Sequence, residues 1–285
     1  MVKPDPNGRE YYMSPNLVRA LDKIKNRIQK KDQDMVMVID GSEGAGKSSL
    51  MMQICKYMDP SFNINDVCMN GDEFGNAITS AIQFKALSFD EGGQGLNSRA
   101  SLTAASRILV SKMMEMRQKN LFVVICIPSI FFLDRYVSMF RAKCLLHVYV
   151  SHGRRGYWIG FNEKNKKKLL LEGRKEMSYR IPYIKHFRGR FYGKYVLDNS
   201  EDYGEAVYRA KKMAALEKSG TDERPLGVRE ARWQEQRDKL IWLLIDVHKY
   251  HYRPLAELLK SRGITITTRN MWQIVRKERD DVKCS

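Results

Sequence analysis

The sequence predicts an α/β protein with a mostly parallel sheet, a basic β-rich extension and a small all-α C-terminal domain. Apolar runs alternate with amphipathic stretches over residues 1–150, the pattern of a parallel sheet wrapped by helices. Residues 151–218 are rich in glycine, aromatic and basic residues, with one helical stretch at their end. Residues 219–228 have the composition of a linker, and residues 229–285 have helical periodicity. These four ranges are the predicted domains.

Five apolar segments in the first 150 residues have the length of strands. They are Met35–Asp40, Val67–Met69, Ala86–Phe89, Leu121–Ile127 and Cys144–Val150. Helices are predicted for Lys47–Met58 and Ser98–Lys119, where apolar residues recur at helical spacing. The longest apolar run, Leu121–Leu133, is shorter than the roughly 18 residues of a membrane span, and the N-terminus lacks the apolar core of a signal peptide. We therefore expect a cytoplasmic protein with no membrane partner.

Shorter elements are predicted for the rest of the chain. In the extension, the predicted strands are Gly156–Phe161, Lys168–Leu171 and Phe187–Tyr195, and the predicted helix is Asp202–Lys218. In the C-terminal domain, the predicted helices are Glu230–Tyr250, Pro254–Ser261 and Thr268–Arg279.

The five cysteines form no C-x-x-C pair. They are Cys55, Cys68, Cys126, Cys144 and Cys284. Their odd number and the apolar neighbours of three of them predict buried free thiols in a reducing compartment. His248 and His251 alone are too few ligands to predict a structural metal site.

A glycine-rich motif follows the first predicted strand. Residues 41–48 read GSEGAGKS and match the phosphate-binding pattern G-x-x-x-x-G-K-[ST] in full. Glycines let backbone N–H groups approach phosphate oxygens, and the start of the next helix favours an anion. We expect Lys47 to reach the β- and γ-phosphates of ATP and Ser48 to bind Mg²⁺. The predicted nucleotide-binding residues of this P-loop are Gly41, Ser42, Glu43, Gly44, Ala45, Gly46, Lys47, Ser48 and Ser49.

An acidic pair ends the strand predicted at Ala86–Phe89. Asp90 is expected to lie beside the P-loop and to hold the magnesium shell through water. Glu91 is the candidate general base for the attacking water. A strand that ends in Asp-Glu is typical of P-loop proteins with an additional strand and a catalytic glutamate, whereas an ordinary strand-end acidic pair is the alternative.

Further catalytic candidates surround the strand Leu121–Ile127. Ser129 stands where a polar residue would sense the γ-phosphate, although a serine that begins a turn after proline is also common. Hydrolysis in this class usually needs an arginine from a neighbouring subunit. The arginine-finger candidates are Arg135, Arg141 and Arg117, with Arg99 and Arg107 in the same region. The alternative interpretation of each of these arginines is an ordinary charged residue on the surface.

With these motifs, residues 35–150 resemble the additional-strand (ASCE) P-loop ATPases with RecA-like cores. Within that group, the layout is similar to the ATPases of phages and mobile elements, the FtsK–HerA and zonular-occludens-toxin type. The resemblance rests on the short core, on the helix that ends at residues 116–119 before the fourth strand, and on the basic extension that follows. Residues 127–129 read IPS where many relatives have Thr-Gln. The resemblance implies a homo-oligomer, such as a hexameric ring, that moves on DNA.

The positive charge is concentrated in the middle of the chain. The net charge is +17, and residues 151–220 carry 17 Lys/Arg against 8 Asp/Glu, whereas residues 1–150 carry 19 against 15. Clustered cations gain free energy by releasing counterions from phosphate backbones, so DNA or another nucleic acid is the predicted partner. A basic protein kept soluble by its charge is the alternative.

Two regions are predicted to contact DNA. In the extension, Tyr157, Trp158, Phe187 or Tyr192 would stack on bases beside phosphate-binding cations, unless the segment is a hairpin with its aromatics inward. The C-terminal helices have the outline of a helix-turn-helix or winged helix, and a small bundle for protein contact is the alternative. The predicted DNA-binding residues are Arg154, Arg155, Lys166, Lys167, Arg188, Arg190, Arg269, Asn270, Gln273 and Arg276.

The sequence thus favours an ATP-dependent, DNA-binding ATPase: an oligomeric helicase, translocase or packaging motor in a prokaryote or in the host cytoplasm of a virus. A non-translocating ATPase switch, such as a helicase loader or a transposition regulator, shares these features. The alternative of another class is a nucleotide or small-molecule kinase, because the P-loop is similar to those of thymidylate kinases. No arginine-rich lid is evident to support it.

Overall fold

The chain forms two units, one built on a β-sheet and the other on helices. The computed structural model describes residues 11–90, 108, 110–181, 183–198, 200, 202–221, 228–261 and 266–283. The first unit is Met1–Thr221 and the second is Asp222–Ser285. The division falls within the segment that has linker composition.

Within the described part of the first unit, eight strands form one mixed sheet. The strands are β1 (Tyr11–Met13), β2 (Met35–Gly41), β3 (Val67–Cys68), β4 (Ala86–Asp90), β5 (Phe122–Cys126), β6 (Ala142–Ser151), β7 (Arg154–Phe161) and β8 (Phe187–Gly193). Their order in the sheet is β1-β8-β7-β6-β2-β5-β4-β3. The five strands from β3 to β6 in this order are parallel, and β7, β8 and β1 are added antiparallel.

Helices cover this sheet and build the second unit. In the first unit they are α1 (Pro15–Lys30), α2 (Lys47–Met58), α3 (Gly71–Ser80), α4 (Met113–Gln118), α5 (Glu163–Glu172) and α6 (Glu205–Thr221). In the second unit they are α7 (Val228–Trp242), α8 (Tyr252–Ser261) and α9 (Thr268–Lys283). None of the described helices has both the length and the apolar character that a bilayer crossing requires.

The central strands are buried on both faces, as expected for parallel strands between helices. Side chains along a strand point alternately to opposite faces. Met37 and Ile39 of β2 accordingly join the core that contains residues of α1 and α2. Val36 and Val38 join the core that contains residues of α3 and α5. This packing on both faces of β2 fixes its C-terminal end, where the glycine-rich motif begins.

Strand β5 lies between β2 and β4 in the sheet. The strand that precedes the glycine-rich motif and the strand that ends in Asp90 are therefore not neighbours, which agrees with the additional strand that the acidic pair predicts. All five predicted core strands are present, with ends that differ by up to two residues. The predicted helix Ser98–Lys119 is described only in part, and Met113–Gln118 within it is helical.

Two sequence predictions for the extension are wrong. The segment Lys168–Leu171 lies in helix α5 instead of a strand, because Lys166, Leu169 and Leu170 share one buried helical face. The predicted boundary after residue 150 is not a domain boundary, because β7 pairs directly with β6 and continues the same sheet. Strand β1 and helix α1 lie in a segment for which the sequence predicted no element.

Lys166 is fully buried, which rules it out as the surface contact to DNA that the sequence predicted. Its Nζ donates hydrogen bonds to the carbonyl oxygens of Ser138 and Met139, at the π-helical turn Val137–Arg141 before β6. Burial lowers the pKa of Lys166 to about 8. The side chain therefore stabilises a turn inside the fold.

We expect Lys166→Met to change how stability depends on pH. The folded-state pKa lies below the unfolded value, so between about pH 8 and 10.5 the unfolded chain binds more protons and the stability of the wild type rises with pH. Met cannot titrate. The measurement is urea denaturation of both proteins. The free energy of unfolding of the wild type minus that of the variant should increase from pH 8 to pH 10.5. An equal difference at both ends of this range would contradict the buried, titrating lysine.

The second unit has a small apolar core of its own. Ile241, Ile245, Leu255, Met271 and Val275 are buried in it and come from all three helices or the turns between them. The described ranges 228–261 and 266–283 contain no strand, so they hold no wing hairpin.

Four cysteines fall in the described ranges, and all four are free thiols. Cys55, Cys68 and Cys126 are buried, as predicted, and Cys144 is partly buried. Burial raises the pKa of each of these thiols. Cys284 lies outside the described residues.

Candidate functional site

The glycine-rich motif forms a tight turn between β2 and α2 in which its three glycines have positive φ. Gly41 has φ of 135°, and a Cβ there would lie 1.9 Å from the carbonyl oxygen of Val148 on β6. Gly46 has φ of 101°, and a Cβ there would lie 3.2 Å from the ring of Phe191 on β8. The turn therefore requires glycine at both positions, one for its contact with β6 and one for its contact with the extension.

Lys47 begins helix α2, and its side chain folds back across the turn. Its Nζ donates hydrogen bonds to the carbonyl oxygens of Gly41 at 2.8 Å and Ser42 at 2.9 Å. The ammonium group is thus held inside the loop by its carbonyl oxygens. A lysine at the start of a helix, together with the free N–H groups of the first turn, is the arrangement that binds a phosphate chain in P-loop proteins.

Ser48 and Asp90 bring two oxygen atoms together at the start of α2. Ser48 Oγ donates to Asp90 Oδ2 at 2.8 Å, and Asp90 is 2 % exposed at the end of β4. A hydroxyl and a carboxylate are suitable ligands for Mg²⁺, which takes few protein oxygens and keeps several waters. The acidic residue predicted for the magnesium shell therefore lies beside the serine predicted to bind the metal.

These groups line a cavity of 620 Å³. Its lining residues are Glu43, Gly44, Gly46, Lys47, Ser48, Ser49, Asp90, Cys126, Ile127, Pro128, Arg155, Tyr195, Tyr208 and Lys212. The last four belong to the extension, and the sequence assigned none of them to the nucleotide site. No motif in the sequence marks them, because they reach the P-loop only when β7, β8 and α6 fold back on it.

Helix α6 is joined to Asp90 by a hydrogen bond. The hydroxyl of Tyr208 donates to Asp90 Oδ2 at 2.6 Å, and burial followed by the charge of Asp90 raises the pKa of Tyr208. The ring of Tyr195 stacks on that of Tyr208 with centroids 5.3 Å apart. Burial also raises the pKa of Tyr195, whose hydroxyl is hydrogen-bonded to Ser49. The two phenols are therefore uncharged near neutral pH, with Tyr195 hydrogen-bonded to Ser49 and Tyr208 to Asp90.

Two cations of the extension share this cavity with the P-loop. Arg155 of β7 and Lys212 of α6 both line it. One guanidinium nitrogen of Arg155 lies 3.9 Å from where a Cβ of Gly44 would be. The sequence predicted that Arg155 contacts DNA, yet it lines the cavity beside the P-loop.

Ser129 belongs to a separate polar network beneath the P-loop and is absent from the cavity lining. Its hydroxyl is 2.9 Å from that of Tyr179, which donates to Asp40 Oδ2 at 2.5 Å. Asp40 is fully buried and also pairs with His147 Nδ1 at 2.9 Å and accepts from the N–H of Ile130 at 2.7 Å. This network fixes the end of β2, and it gives Ser129 a structural partner outside the cavity lining.

The other catalytic candidates are dispersed. Arg141 is buried in an ion pair with Asp34, so it is not available as an arginine finger. Arg117 and Arg135 are exposed and do not line the cavity beside the P-loop. Glu91, the predicted general base, lies outside the described residues, as do Arg99 and Arg107.

The cations predicted to contact DNA in the extension are mostly exposed. Arg154, Arg188 and Arg190 are on the surface, with Arg190 4.8 Å from the ring centroid of Tyr157. Lys167 pairs with Glu163. Of the aromatic residues, Trp158 is fully buried and cannot stack on a base, whereas Tyr192 is 55 % exposed. The alternative prediction, a hairpin with its aromatic side chains inward, is therefore confirmed for Trp158.

In the second unit, the predicted contacts share the exposed side of α9. Arg269, Asn270, Gln273 and Arg276 are exposed, and Met271 and Val275 of the same helix are buried. The helix thus presents a polar, basic face.

Comparisons with known proteins show no family for this chain. No family model matches it, and no curated protein matches it. Among solved structures, the crystal structure of the N-terminal domain of zonular occludens toxin from Neisseria meningitidis matches with a TM-score of 0.34 and 10 % sequence identity. The match covers 59 % of this chain and 96 % of that one. At this score the likeness carries no weight, and the function is inferred from the residues of the cavity.

Proposed function

We propose that this chain is a Mg²⁺-dependent ATPase that acts on DNA. One observation carries the proposal: Lys47, Ser48 and Asp90 meet in one cavity at the C-terminal edge of the sheet. This edge is where α/β proteins bind ligands, and these three side chains are a cation, a hydroxyl and a carboxylate of the kinds that bind a triphosphate with its metal.

Each residue has a distinct task in this proposal. The ammonium group of Lys47 would exchange its carbonyl partners for β- and γ-phosphate oxygens, and Ser48 and Asp90 would hold Mg²⁺, Ser48 directly and Asp90 through water. Bound Mg²⁺ neutralises the charge of the phosphates. Glu91, the residue after Asp90, accepts a proton from the water that attacks the γ-phosphorus as the bond to the β–γ bridging oxygen breaks, which releases ADP and phosphate.

The cavity also provides positive charge from within the same chain. Arg155 and Lys212 line it together with Lys47, so their charges are available to the negative charge that would develop on the γ-phosphate. We therefore assign Arg155 to transition-state stabilisation in cis. The adjacent Arg154 is also exposed but does not line the cavity, because neighbouring side chains of a strand point to opposite faces.

We expect Arg155→Ala to lower kcat for ATP hydrolysis by about 100-fold or more, toward the ~10³–10⁵ that an arginine at the γ-phosphate contributes. KM should change little, because the effect belongs to the transition state. Arg154→Ala is the matched control and should hydrolyse ATP at the wild-type rate when both are assayed without DNA. If both variants lose activity equally, the loss reflects charge at this edge of the sheet and the assignment of Arg155 is wrong.

DNA is proposed as the partner because of charge. The chain carries +17, and the exposed arginines of β7 and β8 and the basic face of α9 are suited to phosphate backbones. A homo-oligomer, such as a hexameric ring of a phage or mobile-element motor, fits an ATPase that moves on DNA. A non-translocating ATPase switch would use the same ATP-binding residues.

Turnover tests the proposal directly. ATP hydrolysis should require Mg²⁺, increase with DNA and yield ADP and phosphate without a phosphorylated nucleoside. Particle size measured with and without ATP and DNA, together with a strand-displacement assay, distinguishes the ring motor from the switch. Phosphorylation of a nucleoside or nucleotide with no ATPase activity would instead support the kinase.

A further inference from the structure

A second cavity, of 1020 Å³, lies at the opposite edge of the sheet from the P-loop. Met35, the first residue of β2, lines it, whereas the P-loop follows the last residue of the same strand. At about 3.3 Å per residue the strand separates the two cavities by roughly 20 Å. We call this cavity the lower groove. A ligand bound there would not touch the nucleotide site.

Helix α1 supplies a row of cations to the lower groove. Lys23, Arg27 and Lys31 line it and are exposed, at intervals of four residues on one side of α1 and at its C-cap. Residues four apart on a helix are neighbours on its surface. At 1.5 Å rise per residue the row is about 12 Å long. It is long enough to follow an extended phosphate backbone beyond one nucleotide.

The carboxylates of the lower groove already have partners. Asp34 pairs with Arg141, and Glu163 pairs with Lys143 at 3.2 Å. Asp32 accepts a hydrogen bond from Asn120. Five lining cations have no ion-pair partner within the ranges that the structure describes: Lys23, Arg27, Lys31, Arg117 and Lys164. The groove therefore has an excess of positive charge that its own acidic residues do not offset.

Two aromatic rings are exposed on the same groove. Tyr136 is 45 % exposed and Phe140 is 56 % exposed, and both line it. Their ring centroids are 5.8 Å apart, and Lys167 Nζ lies 5.6 Å from the centroid of Phe140. A single exposed apolar residue is common on a protein surface, whereas neighbouring exposed rings form a patch of the kind that marks a binding site. Cations beside exposed rings are the combination that binds a single strand through its phosphates and its bases.

We propose that the lower groove binds single-stranded nucleic acid, with phosphates along Lys23, Arg27 and Lys31 and bases on Tyr136 and Phe140. A duplex keeps its bases stacked and offers the rings nothing to bind, and an acidic peptide would use the cations without needing the rings. The proposal specifies the nucleic-acid partner of the function proposed above. It does not depend on the nucleotide site, which uses other residues.

The test is fluorescence anisotropy with a fluorescein-labelled oligothymidylate and the full chain. Replacing all three cations by alanine, in Lys23→Ala/Arg27→Ala/Lys31→Ala, should weaken binding and lower the slope of log affinity against log salt by about 2, because each lost phosphate contact removes about 0.7. The variant Tyr136→Ala/Phe140→Ala should weaken binding by about ten-fold or more and leave the slope unchanged. An unlabelled duplex should compete poorly.

A matched variant separates the groove from net charge. Arg174, Lys175 and Arg180 are exposed cations outside the lower groove, so Arg174→Ala/Lys175→Ala/Arg180→Ala removes the same charge and should bind like the wild type. An equal or larger loss in this control would overturn the proposal. So would full competition by polyglutamate, or by duplex, or an intact affinity in the aromatic variant. Binding of a fluorescent ATP analogue by each variant verifies that it is folded and reports on the P-loop separately.

Discussion

Lys47→Ala is expected to lower the affinity for ATP by roughly 100- to 10,000-fold and to abolish measurable turnover. The change removes a charged donor to two phosphates, and each hydrogen bond to a charged group contributes about 1.5–3 kcal/mol. It also removes the two hydrogen bonds that hold the ammonium group to the carbonyls of Gly41 and Ser42. The variant therefore loses both the charge and the cross-link that shapes the loop.

A fluorescent ATP analogue measures this affinity, and a second readout is the rise in thermal stability that saturating ATP gives the wild type. The variant should show neither signal while unfolding as cooperatively as the wild type without nucleotide. Lys47→Arg keeps the charge but not the compact donor, so it should recover only part of the affinity. Glu91→Gln should instead bind ATP normally and stop hydrolysis. Wild-type binding by Lys47→Ala would remove the P-loop from the proposed function.

Asp90→Asn is expected to raise the Mg²⁺ concentration needed for half-maximal turnover by about 10- to 100-fold, the usual cost of losing a group that orients a metal's ligands. Asp90 Oδ2 accepts from both Ser48 and Tyr208, at 2.8 and 2.6 Å. The amide oxygen of asparagine can accept the same two hydrogen bonds, so the fold should remain while the negative charge is lost. The measurement is a Mg²⁺ titration of ATP hydrolysis.

Asp40→Asn is the matched control for this substitution. Asp40 is also a buried carboxylate at the end of a central strand, but it pairs with His147 and Tyr179 and does not line the nucleotide cavity. It should lower thermal stability and leave the Mg²⁺ dependence unchanged. An equal shift in Mg²⁺ dependence in both variants would show that Asp90 acts through stability alone.

Much of the site followed from short stretches of sequence. The glycines, Lys47 and Ser48 are contiguous, and the turn that they form is dictated by local backbone freedom and by the helix that follows. Asp90 was predictable because an acidic residue at the end of an apolar strand has one location, the carboxyl edge of the sheet. Ser129 follows a strand in the same way, yet its hydroxyl is bonded to Tyr179, 50 residues further along the chain, which no local pattern could indicate.

The basic extension shows the limit of composition. The number of lysine and arginine residues in a sequence gives the charge of a segment, but it does not predict which of these side chains are buried, line a cavity or are exposed. Lys166 is buried, Arg155 lines the nucleotide cavity, and Arg154 is exposed. Gln53 of α2 donates to the carbonyl oxygens of Tyr192 and Lys194, at 3.3 and 3.1 Å, and these hydrogen bonds hold the extension against the P-loop helix.

The sequence by itself determined the glycine-rich turn, the carboxylate beside it and the central strands, because each depends on neighbours in the chain and on periodic burial. Only the tertiary structure decided which cations face the nucleotide cavity, that Tyr208 contacts Asp90, and that α1 and the turn before β6 form a basic groove with exposed rings. Those contacts join residues that are 100 or more positions apart, as in the Asp90–Tyr208 pair separated by 118. Their formation depends on how strands β6 to β8 extend the sheet and return the chain to the P-loop, and on packing over the whole sheet.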